Sequence, residues 1–295
     1  MKIAVTGATG FIGENLLKIL LDKKYDIYAI VRVTSSISEV DKRAHFFHYD
    51  GNVDNLLKFF EKEQFDGVIH LASFFLASHT PMEIPKMIAS NITFATEILE
   101  ACKISKVKWF LNTGTFWQHY HTKEYNPVNL YAATKEAFEK IAKYYTQTSD
   151  LIFVTIKLND TFGPNDTRKK IFNFWNKIAK TGEVLEMSEG KQIIDISYIQ
   201  DVIYAYELLI EYLNSNNRND FQNKCYVVTS NERVTLRELA SIFEKATNTK
   251  LNIKWGSREY REREVMLPYE GKESVPNWEQ HYTLQEAIKK TVGEI

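Results

Sequence analysis

Two cysteines, Cys102 and Cys225, are all that 295 residues contain. That excludes a disulfide framework and suits a reducing compartment. An excess of one charge is also lacking: 37 basic and 38 acidic residues leave a net charge of −1. No general field exists to hold nucleic acid or an anionic membrane, and neither partner is expected. No apolar run approaches the ~18 residues of a membrane span. Repeats and low-complexity segments are missing; the richest polar loop, Asn214 to Asn219 (NSNNRN), reads as a surface turn. The chain opens on a strand-like segment with nothing resembling a signal peptide ahead of it, so a cytoplasmic protein is expected. His45, His48, His79, His119, His121 and His281 show no ligand spacing with carboxylates or cysteines. No metal is therefore expected.

What the chain does have begins at its first residues, MKIAVTGATGFIG. A short apolar run leads into Gly7, Gly10 and Gly13, and an apolar-periodic segment follows. This reads as a strand, a glycine turn and a helix. Such glycines allow a tight turn, admit a pyrophosphate close to the main chain and let the helix pack on the strand, while the helix N-terminus attracts phosphate. The turn residues Gly7, Thr9, Gly10, Phe11, Ile12 and Gly13 are the expected cradle of a dinucleotide.

The second strand, Asp26 to Val31, ends at Arg32, followed by Thr34, Ser35 and Ser36. An acidic residue at this place binds the ribose hydroxyls of NAD, whereas an arginine suits a 2′-phosphate. Arg32, Ser35 and Ser36 favour NADP(H) over NAD; the competing reading of Arg32 is a solvated strand-end arginine.

The pattern continues with a helix at Val53 to Glu63, a strand at Val68 to Leu71, and a helix at Pro85 to Cys102. A strand at Trp109 to Asn112, a helix at Tyr131 to Thr146 and a strand at Leu151 to Leu158 follow. This alternation predicts an α/β fold: a Rossmann-like, doubly wound parallel sheet with a smaller C-terminal α/β substrate lobe. The expected division is 1–163 plus 193–228 for the NADP-binding domain, and 164–192 plus 229–295 for the substrate lobe. Phe172, Phe174 and Trp175 (IFNFW) read as packing that lobe's core.

Thr113, Tyr131 and Lys135 form the chemical constellation. Tyr131 and Lys135 (YAATK) are four residues apart, one turn on one helix face. An ammonium beside a phenol lowers the phenol pKa from about 10 toward neutrality, which suits proton exchange at a carbonyl or hydroxyl oxygen. Thr113, just after a strand, can hydrogen-bond the same oxygen.

On these motifs the chain resembles the extended short-chain dehydrogenase/reductase family, the NAD-dependent epimerases and dehydratases that modify nucleotide sugars. TGATGFIG matches the family's opening. Asp50 and Gly51, in HYDGNV, resemble the site that meets the adenine. HLAS (His70 to Ser73) resembles the family's HLAA and implies cofactor contacts from Leu71, Ala72 and Ser73. Asn91 matches the asparagine that buttresses the active-site helix and counts with the cofactor site. NTGTFWQ places Thr113 at the catalytic serine or threonine, with Tyr131 and Lys135 beside the nicotinamide. FGPND, EGKQIIDISYIQDV and NWEQHYTLQEAIKKTV resemble motifs of the nucleotide-sugar members.

Departures narrow the implied reaction. The 4,6-dehydratases carry an Asp-Glu pair where this chain has Gly114 and Thr115. Ile194 replaces the family's arginine, and Asp160 its asparagine. Substrate contacts are therefore expected from Phe74, Ser78, Thr113, Thr115, Asp160 and Lys191, with Arg261 or Arg263 on the diphosphate. Phe75 is a further candidate wall. Within the family the resemblance is to nucleotide-activated 4-keto-6-deoxysugar reductases of the CDP-abequose synthase-like group. It implies NADPH-dependent reduction of a C4 carbonyl in deoxysugar and surface-polysaccharide synthesis, a nucleotide-sugar partner, and a homodimer. The rival readings are a 4-epimerase with tightly bound NAD, a reductase of a different carbonyl, and a non-catalytic NADP-binding module.

Overall fold

In the computed structural model, which describes residues 1–292, the expected second lobe lacks only its last three residues, 293–295, which lie outside the described residues. The chain runs β1 (Lys2–Thr6), α1 (Phe11–Asp22), β2 (Asp26–Arg32), β3 (His45–Tyr49), α2 (Val53–Glu63), β4 (Gly67–His70), α3 (Ile84–Ile88), α4 (Phe94–Ile104), β5 (Trp109–Thr115) and α5 (Leu130–Thr148). It continues through β6 (Ile152–Leu158), β7 (Asp160–Phe162), α6 (Ile171–Thr181), β8 (Leu185–Met187), β9 (Ile193–Ile194), β10 (Ile196–Tyr198) and α7 (Ile199–Leu213). It ends with β11 (Cys225–Val228), β12 (Val234–Thr235), α8 (Leu236–Thr247), β13 (Ile253–Trp255) and α9 (Leu284–Val292).

Seven strands make one parallel sheet in the order β11-β6-β5-β4-β1-β2-β3. Every residue of β4 and β6 is buried, as expected of parallel strands covered on both faces. The chain winds outward from β1 to β3, then crosses back to β4 and winds the other way. That reversal opens a crevice beyond the carboxyl ends of β1 and β4, where such sheets take their ligands.

The long periodic helices lie where the sequence places them. Asn52 starts α2 by accepting hydrogen bonds from the N–H groups of Asp54 and Asn55. The expected helix at Pro85 to Cys102 is broken in the middle: α3 and α4 are joined by a π turn at Ala89–Thr93. The edge strand β3 is not foreseen because HFFHY lacks a two-residue alternation.

Smaller sheets form beside the large one. β7 pairs with β10, β8 with β13, and β9 with β12. A continuous apolar core runs from Ile3 and Leu17 to Phe243 and Ile288, joining these pieces to one face of the large sheet. Phe172 and Trp175 are buried in it and meet Phe243 at ring-centroid distances of 5.8 and 5.5 Å. Phe174 departs from the expectation: it is 43% exposed. No helix among the described residues is long and apolar enough to cross a membrane.

Candidate active site

The glycine turn is shaped from within. Gly7 adopts φ +74°, and a Cβ there would lie 2.6 Å from the Ala72 nitrogen. A Cβ on Gly13 would lie 2.2 Å from the Gly7 carbonyl oxygen. Gly10 begins α1 with no side-chain cap. The first N–H groups of the helix, which have no partner inside it, therefore face the crevice.

Two open volumes meet over this turn, and both are lined by Gly7, Gly10, Leu71 and Ser73. The first, about 620 Å³, takes in Thr9, Arg32, Ser35, Asp50, Gly51, Ala72 and Phe74. Asp50 is fixed in place: its carboxylate accepts from the Asn52 N–H at 2.9 Å and from the Asn55 amide at 3.2 Å. These bonds hold its pKa below the usual range. Ser36 stands outside this wall; its hydroxyl lies 3.0 Å from that of Ser38. Lys86, unforeseen from the sequence, lines the wall with its ammonium 4.4 Å above the Phe74 ring.

The second volume, about 600 Å³, holds Phe11, Ile12, Gly13, Thr113, Thr115, Tyr131, Lys135 and Asp160. Phe75 meets Tyr131 edge-on at 4.9 Å and Trp117 at 5.5 Å, which makes one wall aromatic. Asp160 is tied to Lys170, whose ammonium sits above Phe75. Arg168 stacks on Phe11 at 4.3 Å and donates to Asp166 and Thr161. Between them Lys169 is exposed and lines the cleft with no hydrogen-bond partner among the described residues. Sequence reasoning missed this Arg-Lys-Lys run, although three adjacent cations one residue after FGPND were visible.

The constellation is tightly braced. Asn129 caps α5 by accepting from the Ala132 N–H, and donates to the carbonyls of Leu76 and Ala77. Asn91, 2% exposed, accepts from the Phe74 N–H and donates to the Phe74 carbonyl and the Thr134 hydroxyl. Its amide is fully used, so it supports the wall from behind and does not line it. Gln118 accepts from the Thr115 N–H and donates to Glu136 and Glu139 on α5. The end of β5 is thereby locked to the helix that carries Tyr131.

The electrostatics differ from the sequence expectation. Burial pushes the Tyr131 phenol up to about 12, with the Ser73 hydroxyl pulling weakly the other way. Spacing alone suggested a lowered value, but desolvation of the phenolate wins. The lysine shows the opposite response: burial lowers Lys135 to about 8, and Glu139 partly restores it. Lys135 is 3% exposed, and its ammonium makes no hydrogen bond within the described residues. Burial also lowers His70 to about 3, so it is a neutral bonding partner of the Thr6 hydroxyl at 2.8 Å.

Five expected substrate contacts stand outside the second volume. Lys191 pairs with Glu189 at 2.7 Å on the surface. Arg261 is exposed, its N–H on Glu264. Arg263 stacks on Tyr120 at 4.2 Å and donates to Asn126, holding two loops together. Ser78 lines neither volume, and Phe74 faces only the first. Among the described residues no group of three His, Cys, Asp or Glu is placed to hold a metal. His119 and His121 instead stack on Tyr269 and Tyr120.

A parallel sheet with a glycine turn at its switch point, Thr113 on an adjoining strand and Tyr131 and Lys135 on the helix that follows defines a Rossmann-like α/β fold. The chain belongs to the NAD dependent epimerase/dehydratase family, whose model matches residues 3–223. Among curated relatives it is 26% identical to a CDP-abequose synthase of Salmonella muenchen, over 99% of this chain and 97% of that protein. It is 27% identical to a CDP-abequose synthase of Yersinia pseudotuberculosis, over 91% and 92%. Its fold matches UDP-glucose 4-epimerase of Thermotoga maritima, solved with UDP-glucose, at TM-score 0.85 and 19% identity, over 99% and 97% of the two chains.

Proposed function

We propose that this protein uses NADPH to reduce the C4 carbonyl of a nucleotide-linked 4-keto-6-deoxy or 3,6-dideoxy sugar. The observation that carries this reading is the proton inventory of the second volume. Tyr131 is a protonated acid there, the Lys135 ammonium is assigned to the cofactor ribose, and the only carboxylate lining that volume among the described residues, Asp160, is bound to Lys170. One proton donor suffices for hydride transfer to a carbonyl. Eliminating water needs a second acid–base group. Gly114 leaves no space for one, since a Cβ there would lie 2.9 Å from the Lys157 side chain and 3.0 Å from that of Thr155.

The first volume fits an adenine dinucleotide. Its glycine floor, uncapped helix start and prearranged Asp50 suit the pyrophosphate and adenine. When bound, NADPH supplies the hydride. Arg32, with Ser35 beside it, supports NADPH, although a structural neighbour from Thermus thermophilus was solved with NAD. Tyr131 donates its proton to the C4 oxygen as negative charge develops there. Thr113 holds that oxygen, and the Lys135 ammonium, which makes no hydrogen bond among the described residues, meets the ribose hydroxyls. Phe75 and Trp117 suit the apolar carbons of a deoxysugar. Lys169 takes the substrate diphosphate in place of Lys191, Arg261 and Arg263. The names of the curated relatives support a CDP-linked sugar. Apolar side chains exposed on α3 to α5, namely Ile84, Ile88, Ile104 and Tyr144, support a homodimer, and Cys102 and Cys225 as free thiols support a cytoplasmic site.

Several measurements check this reading. Arg32→Asp should erode the preference for NADPH over NADH by about 10- to 150-fold, the worth of one charge-assisted contact. An unchanged preference would remove Arg32 from the site. kcat/KM should fall as pH rises through about 8, where Lys135 of the free enzyme loses its proton. The limb in kcat should lie higher, because bound phosphates favour the ammonium. A kcat/KM profile flat to pH 10 would refute the assigned role of Lys135. With dTDP-glucose, no loss of water is expected; formation of a 4-keto-6-deoxy product would identify a dehydratase instead.

A further inference from the structure

Tyr206, on α7, lies outside every motif discussed so far. Its side chain is 0% exposed, yet it ends in a hydroxyl that phenylalanine would lack. That hydroxyl lies 2.6 Å from the Thr113 hydroxyl, its one hydrogen-bond partner among the described residues. Thr113 in turn has no other side-chain partner among the described residues. A tyrosine hydroxyl removed from water is costly unless it is bonded, so this contact accounts for its presence.

The geometry constrains the direction of the bond. A threonine hydroxyl has one hydrogen and two lone pairs. If Thr113 gives its hydrogen to Tyr206, none remains for a carbonyl oxygen in the cleft. We propose that Tyr206 donates its hydrogen bond to Thr113 Oγ1 and so directs the threonine's own hydrogen toward the substrate carbonyl. Tyr206 is then a positioning residue, acting only through Thr113; this rests on the reading of Thr113 as the carbonyl's donor. A chain of two hydroxyls also polarises itself, which strengthens its outer bond. Burial raises the Tyr206 pKa above its ordinary value, against the Thr113 contact, which pulls it down, so the donor keeps its proton.

The test is a double-mutant cycle read in kcat, with NADPH and a CDP-linked 4-keto-6-deoxy sugar. Thr113→Val should lower kcat about 10²-fold, as loss of an oxyanion donor does. Tyr206→Phe should lower kcat about 10-fold and leave the KM for NADPH unchanged, because only orientation is lost. The double variant should be no slower than Thr113→Val alone. A merely structural role would multiply the two losses, and that result, or wild-type turnover in Tyr206→Phe, overturns the proposal. Should Tyr206→Phe fail to fold, 3-fluorotyrosine at 206 keeps the packing and changes the donor; it should alter kcat when Thr113 is present and not in Thr113→Val. Wild-type turnover in Thr113→Val would overturn the role of Thr113 itself, and the proposal with it.

Discussion

Tyr131→Phe is expected to lower kcat by ~10²-fold or more while the dissociation constant for NADPH changes little. The substitution removes one oxygen. α5 should keep its place, because its anchors are Asn129, Thr134 and the Asn91 contact, none of which uses the phenol. The ring still packs against Phe75. What disappears is the proton that burial holds on the phenol up to a pKa of about 12. The other groups lining that volume are otherwise engaged: Asp160 is ion-paired, the Lys135 ammonium is assigned to the ribose, and the Thr115 hydroxyl, which accepts from the Trp117 N–H, does not ionise near neutral pH. Rate measurements with NADPH titrations on the variant check this, and turnover at the wild-type rate would show that Tyr131 is not the acid.

The glycine turn offers the other large effect, and it separates folding from binding. Gly13→Ala forces a methyl to 2.2 Å from the Gly7 carbonyl oxygen and 2.8 Å from the Ala8 Cα, both backbone atoms. Gly7→Ala combines a left-handed backbone with contact on Ala72. Each should destabilise by about 3 kcal/mol or more, lowering Tm by roughly 6–12 °C, and should weaken NADPH binding about 100-fold. Gly10 is different: its Cβ would meet only the Gly7 oxygen, at 3.3 Å. Gly10→Ala should leave Tm nearly unchanged yet weaken NADPH, because its methyl points where a pyrophosphate must approach. Thermal melts and cofactor titration of all three variants test this. Equal Tm losses in the three would contradict it.

These predictions rest mostly on features legible in the sequence. α2 and α5 could be read because their apolar spacing is a local signal. The glycine turn could be read because three residues at fixed spacing define it. What could not be read depends on contacts between distant segments. Tyr206 meets Thr113 across 93 positions of sequence. Lys86 lines the first volume beside residues of β2 and residues that follow β1 and β4, a tertiary placement that its sequence neighbours do not signal. Arg263 is an apparent phosphate ligand by charge, and its real partners, Tyr120 and Asn126, lie in a loop far upstream. The Tyr131 pKa was misjudged because spacing gives the nearness of Lys135 but not the burial of both groups. The strands of the smaller sheets are two or three residues long, too short for any periodic signal.

The most direct measurement is incubation of the protein with NADPH and a panel of CDP-, dTDP-, GDP- and UDP-linked 4-keto-6-deoxy sugars, following cofactor absorbance and product mass. With the right nucleotide, NADPH should be consumed one for one, and the product should be two daltons heavier than the substrate. NADPH left untouched across the whole panel would contradict the reductase reading, and sugar conversion without added reductant would point to an epimerase with bound NAD.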